Sequence, residues 1–121
     1  MESILTSIKK LLGITEEYEQ FDQDIIIHIN SVFSILTQLG VGPERGFSIK
    51  DEQSVWTDFI NDDLRLEAVK SYVYLKVKLL FDPPLSSAVI ESTNRMISEL
   101  EWRINVMVDP VEPEEEVYYD G

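Results

Sequence analysis

Between Leu66 and Leu80 the chain is apolar almost all round at helical spacing. At 100° per residue, Glu67, Lys70, Ser71, Tyr74 and Lys78 form one narrow polar stripe. Nearly everything else is apolar: Leu66, Ala68, Val69, Tyr72, Val73, Leu75, Val77, Leu79 and Leu80. A helix of that kind is central to a core or buried in an assembly. Asp62 or Asp63 caps its start, and Asp82-Pro83-Pro84 must end it, because proline cannot continue a helix and restrains the residue before it. Lys76 falls opposite the polar stripe. A buried charge without a partner is costly, so we read Lys76 as a side chain that snorkels to the bundle edge rather than as half of a buried ion pair.

The flanking segments supply helices to cover it. Residues 3 to 12 place Ile4, Ile8, Leu11 and Leu12 on one face, and Gly13 is the stop, with Ile14 packing back. An acidic connection with Glu16, Glu17 and Glu19 follows. Asp22 reads as the N-cap of a second helix to about Leu39, whose stripe is Ile25, Ile29, Val32, Leu36 and Leu39. Gly40 and Gly42-Pro43 end it. Val41 to Gln53 reads as a long loop or short hairpin, free to move without disturbing the core. Ser54 caps a short helix carrying Val55, Trp56, Phe59 and Ile60. Ser86 or Ser87 caps a last helix from about Ala88 to Val108, with the stripe Val89, Met96, Ile97, Leu100, Ile104 and Met107.

Strand signals are sparse, so the expected fold is all-α. It is a small bundle of four to five helices with a long loop after the second. Residues 1–108 form the helical domain and 109–121 an acidic tail. The tail has six acidic residues, no basic ones and two prolines, a composition that favours disorder. It ends in Val117, Tyr118 and Tyr119, which read either as part of a solvated spacer or as a docking peptide that orders on a partner.

Chemistry is constrained by what the chain lacks. It has no cysteine and one histidine, which excludes disulfides, thiolate catalysis and multi-His metal sites. His28 sits at the edge of the second helix's apolar stripe and reads as a boundary residue. The pairs Glu16/Glu17, Asp51/Glu52 and Asp62/Asp63 lie at helix starts and in loops, where acids cap helices and favour the dipole. They do not suggest a convergent metal or acid–base site. No phosphate-cradling glycine pattern is present. We therefore expect no enzyme activity, no cofactor and no metal. The formal net charge of -13 argues against nucleic-acid binding and against docking on anionic lipid. No run reaches the ~20 apolar residues of a membrane span, and no secretory signal is visible.

Interface residues are the remaining candidates. Trp102 lies about 180° from the stripe of the last helix, beside Arg95 and Val106, and Ile27 faces away from its own helix's stripe. Outward apolar residues of this kind suggest self-association or partner binding. Trp102, Arg95, Ile27, Val117, Tyr118 and Tyr119 are the interface candidates.

The order of elements resembles the phage head–tail connector family, also called adaptor or head-completion proteins. The residues that carry the resemblance are Ile8-Lys9-Lys10-Leu11-Leu12-Gly13-Ile14, the second helix from an Asp to Leu39-Gly40, the run from Val69 to Phe81-Asp82-Pro83-Pro84, and Glu99-Leu100-Glu101-Trp102-Arg103-Ile104. It spans about residues 4 to 108. The resemblance implies a structural virion protein of the neck, assembled in the host bacterial cytoplasm as a ring, usually of twelve copies. Its partners would be the portal protein and the next neck or tail protein, with DNA passing through the channel without specific binding. The alternative is a small acidic helical regulator, or DNA mimic, that binds a basic partner.

Overall fold

A computed structural model describes residues 2–108, with side chains to residue 106. Five helices follow in order: α1 (Ile4–Leu11), α2 (Asp22–Gln38), α3 (Trp56–Phe59), α4 (Asp63–Phe81) and α5 (Ser87–Val108). Among the described residues the only β-type pairing is an isolated antiparallel bridge between Ser3 and Val55. The fold is all-α, as the periodicity predicts. The expected features of residues 109–121, including Val117, Tyr118 and Tyr119, lie outside the described residues.

α4 is the hub. It packs against α2 and α5, while α1 packs on α2. Val69, Tyr72, Val73 and Val77 are fully buried, which accounts for the nearly all-round apolar character of this segment. The start of α4 is fixed by Asp62, whose side chain accepts from the Leu64 and Arg65 backbone N–H groups and from Arg65 Nε at 3.0 Å. The Arg65 hydrogen bonds hold the Asp62 carboxyl below the ordinary carboxylate range. The end comes at Phe81, followed by Asp82-Pro83-Pro84.

α1 and α2 end alike. After α1, Gly13 N–H bonds Lys10 O and Ile14 N–H bonds Lys9 O; after α2, Gly40 N–H bonds Thr37 O and Val41 N–H bonds Leu36 O. Both glycines have φ of +83°. This is the double-bonded glycine stop that satisfies the last helical carbonyls. It turns Val41 into the core, where it is buried with Leu36.

Several local expectations need correction. Leu11 is exposed and Leu5 takes its place in the core beside Ile4 and Ile8, so the buried face of α1 is rotated. Asp22 is not an N-cap: Phe21 holds that position without a side-chain cap bond. Asp22 instead makes a 2.8 Å ion pair with Lys9, which satisfies its charge better than a cap would. Ser54 does not cap α3. Its carbonyl accepts from Ile4 N–H, and the Asp58 carboxylate accepts from Val55 N–H at 2.9 Å. On α5, Val89 and Met96 are exposed while Ile97 and Ile104 are buried. α5 meets essentially one neighbouring helix, so its buried stripe is narrower than its apolar content suggests. Ser86 is the capping serine, accepting from Val89 N–H at 3.3 Å.

The 41–53 loop is long but tied to the domain. Asn30 clamps it with both ends of its amide, Nδ2 donating to Ile49 O at 3.0 Å and Oδ1 accepting from Ile49 N–H at 2.8 Å. Ile49 is buried and Phe47 packs edge-on to Phe33, with ring centroids 5.0 Å apart. Gly42 has φ +87°, and a Cβ there would overlap the Phe59 ring. The loop therefore cannot leave without opening the core around Phe33 and Phe59, contrary to the sequence expectation.

The N-terminal segment is zipped to residues 54–56. Ile4 N–H donates to Ser54 O at 3.0 Å and Trp56 N–H donates to Glu2 O at 3.3 Å. Inside, Trp56 Nε1 donates to Ser7 Oγ at 2.8 Å and that hydroxyl donates to Ile4 O at 3.1 Å. Both buried polar groups are thereby satisfied.

Two polar ties join elements that apolar packing alone would leave free to slide. Lys9 is 2% exposed, and its Nζ reaches Asp22 Oδ1 at 2.8 Å and Glu16 O at 3.0 Å. It thus fixes α1, the connection and the first turn of α2 together. Tyr72 Oη donates to Glu101 Oε2 at 2.7 Å, fastening α5 to α4. Burial, and then this bond to a carboxylate, pushes the Tyr72 phenol well above its ordinary value.

The two halves of the Lys9 tie should differ in cost. Asp22→Asn strands an ammonium in the core and should destabilise by about 3 kcal/mol, near the low end for a broken buried pair. Lys9→Met removes the buried charge and leaves the Asp22 carboxylate, 20% exposed, within reach of water; its cost should be about 1–2 kcal/mol. Urea unfolding of both variants checks the order.

Tyr72→Phe should cost about 1–2 kcal/mol, the worth of a hydrogen bond to a charged acceptor. The raised phenol also sets a pH dependence. The folded state keeps the proton above the pH, about 10, at which the unfolded tyrosine loses it. The unfolded state then binds fewer protons, so stability falls as pH rises beyond that point. Thermal melts above pH 10 should show this slope in the native chain and a shallower one in Tyr72→Phe.

Candidate interaction surface

α5 presents two sides of different character. Ile97 and Ile104 are buried and Leu100 is half-buried on the side toward α4. On the other side Trp102 is 68% exposed, with Val106 exposed one turn later. An apolar ring this open is uncommon unless something covers it. Arg95 lies two turns before Trp102 on the same side and is largely solvated. The charges there alternate along the helix: Arg95 reaches Glu91 at 4.0 Å and Arg103 reaches Glu99 at 3.0 Å. These exposed i, i+4 pairs add little stability. They do neutralise the surroundings of Trp102, so this side of α5 is apolar and balanced within an acidic chain.

Met96 and Leu100 line one side of a groove of about 330 Å³ between α5 and α4, with Tyr74 and Leu75 opposite. A second groove of about 410 Å³ runs between α1 and α4, past Leu11, Lys10 and Lys70. Ser71 and Tyr74 line both. The polar stripe of α4 is thus the ridge between two shallow grooves.

The sequence-predicted interface residues are placed unequally. Trp102 and Arg95 share the outward side of α5. Ile27 is 63% exposed but stands on α2, a different helix. Val117, Tyr118 and Tyr119 lie outside the described residues. His28 is half-buried, its ring 6.5 Å from that of Phe81, as a boundary residue should be. Lys76 is also half-buried, with its amine 5.9 Å from the centre of the Tyr72 ring; this is a snorkelling side chain steered by a cation–π contact.

The acidic pairs perform local structural tasks. Asp62 caps α4, Asp58 closes the start of α3, and Asp51 Oδ1 accepts from Gln53 N–H at 2.9 Å. Among the described residues no three His, Asp or Glu side chains converge as metal ligands, and no helix is long and apolar enough to cross a membrane.

Sequence reasoning missed the Lys9 tie, the Asn30 clamp and a chain of aromatic rings. Tyr18 and Phe21 lie 5.6 Å apart, and Phe21 and Phe81 lie 5.4 Å apart. One signal was available: Lys9 follows Leu5 by four residues and so shares the apolar face of α1. The ring chain joins a connection to the end of α4 and has no periodic signature.

Comparison with known proteins places this architecture. Searches of the curated proteins and of the solved structures found no significant match. A family model described as phage connector protein matches residues 4–111, which takes in all five helices and leaves out the last ten residues. The chain belongs to the phage connector protein family.

Proposed function

We propose that this chain is a structural component of the phage neck that assembles as a ring, with twelve copies the expected number. It joins the portal protein to the next head-completion or tail protein and extends the DNA channel. It acts in the virion after assembly in the host cytoplasm, and it performs no catalysis. The observation that carries this reading is the family match across every helix. The open, charge-balanced side of α5 supports it, since an apolar face within an acidic chain suits protein contact rather than solvent. The chain's net charge of -13 suits a lumen past which DNA moves without sticking, because few groups are available to neutralise phosphates.

Sedimentation and negative-stain imaging of the purified chain mixed with its portal test the assembly. Trp102→Ala should leave the melting temperature of the free chain nearly unchanged, because the ring touches little of its own core. The same variant should weaken neck assembly at least tenfold, the scale of an aromatic interface anchor. Loss of the free chain's helical signal in Trp102→Ala would make the residue a core element instead.

Truncation after Val108 tests the tail. The shortened chain should keep its helical circular dichroism and melting temperature but attach more weakly to the portal or the next neck protein. Unchanged attachment would reduce the tail to a spacer.

A further inference from the structure

A second surface, away from Trp102, has a different chemistry. Tyr18 and Phe21, in the connection before α2, stack toward Phe81 at the end of α4, and His28 adjoins the same Phe81 ring. These rings staple the connection to α4, yet Tyr18 remains 45% exposed and Phe21 39%. The rim around them is acidic. Residues 14–27 contain Glu16, Glu17, Glu19, Asp22 and Asp24 and no lysine or arginine. Asp22 is committed to Lys9 and Glu16 lends its carbonyl to the same amine, but the carboxylates of Glu17, Glu19 and Asp24 are exposed. Across the rings, Lys78 is held by Asp82 at 3.1 Å. The C-terminal end of α4 adds the negative pole of its dipole at Phe81.

Half-open aromatic faces inside a negative rim have one complementary ligand chemistry. A guanidinium or ammonium is attracted to the ring face and to the carboxylates together, and its aliphatic stem covers apolar surface. Phosphate-bearing ligands are repelled by the same rim. We infer that the Tyr18–Phe21–Phe81 surface docks a cationic segment of a partner protein, an arginine seated on the rings and an adjoining apolar side chain beside them. The inference stands on this surface alone and does not depend on the neck assignment or on the α5 face. It makes the chain two-sided, with a neutral apolar contact on α5 and a charge-selective one where α2 begins and α4 ends.

Amide NMR on the full chain tests it, with a synthetic Gly-Ser-Arg-Leu-Arg-Ser-Gly peptide as probe and its Gln-Leu-Gln counterpart as control. The arginine peptide should shift the amides of residues 17–24 and of Phe81 and Asp82, saturably, and the glutamine peptide should not. Two variants separate docking from folding. Phe21→Leu keeps an apolar staple but removes the ring, and should weaken binding roughly two- to fivefold, the scale of an exposed cation–π contact. Glu17→Gln combined with Glu19→Gln leaves the rings in place. It should weaken binding by at least as much and flatten the salt dependence, since these exposed charges are screened over about 10 Å at 0.1 M salt. Trp102→Ala should leave the titration unchanged. The proposal is overturned if the arginine peptide shifts acidic sites across the whole chain alike, or if Phe21→Leu and the paired glutamate variant bind it as the native chain does.

Discussion

Everything in this fold is arranged around a helix that has almost no face to give to water. α4 buries Leu66, Val69, Tyr72, Val73 and Val77, and one helix cannot cover all of that. α2 takes one part and α5 another. α1 and the N-terminal segment lie on α2 and residues 54–56. The hydrophobic term is non-directional and would tolerate many slides and rotations of such helices. What selects one arrangement is a few polar contacts with fixed partners: Lys9 with Asp22 and Glu16 O, Asn30 with both backbone groups of Ile49, and Tyr72 with Glu101. Each joins segments far apart along the chain or across a turn. Each also leaves a buried polar group stranded if the register slips.

That division explains what the sequence made legible. Helix existence and order follow from periodicity and punctuation, because Gly13, Gly40 and Pro83-Pro84 act locally through backbone geometry. The burial of Ile25, Ile29, Val32 and Leu36 follows from their spacing for the same reason. The polar ties do not, because an ion pair between residues 9 and 22 depends on how the chain turns between them. Asp22 shows the point: its position before an apolar run reads as a cap, and only the tertiary placement of Lys9 makes it an ion-pair partner instead. The 41–53 loop failed in the same way. Glycine and proline announce irregular backbone, but Asn30 and the Phe33–Phe59 pocket decide that this backbone is fixed.

On α5 the apolar content was legible and its allocation was not. Val89, Met96, Trp102 and Val106 are all exposed, although two of them belong to the predicted inner stripe. A 22-residue helix seated mainly on one neighbour cannot bury them all. Its anchorage rests on Ile97, Leu100, Ile104 and the Glu101 carboxylate. An isolated domain has no reason to hold so much apolar side chain in water. A subunit has one, since the surface is completed by a neighbour. The candidate residues Trp102 and Arg95 are therefore legible as a pair because they share a helix face, whereas Ile27 was grouped with them by exposure alone and stands on another helix.

The charge distribution then separates two kinds of contact. Around Trp102 the charges of Glu91, Arg95, Glu99 and Arg103 cancel, so a partner meets apolar surface at little electrostatic cost and gains little long-range attraction. Around Tyr18 and Phe21 the carboxylates do not cancel, and an approaching cation is drawn in before contact. A chain that carries both has a salt-insensitive face and a salt-sensitive one. In an assembly this permits order: the steered contact forms fast and fixes orientation, and the neutral apolar one supplies lifetime through slow dissociation. The acidic excess serves this arrangement as well, because it keeps the free subunits apart until a basic partner surface lowers their mutual repulsion.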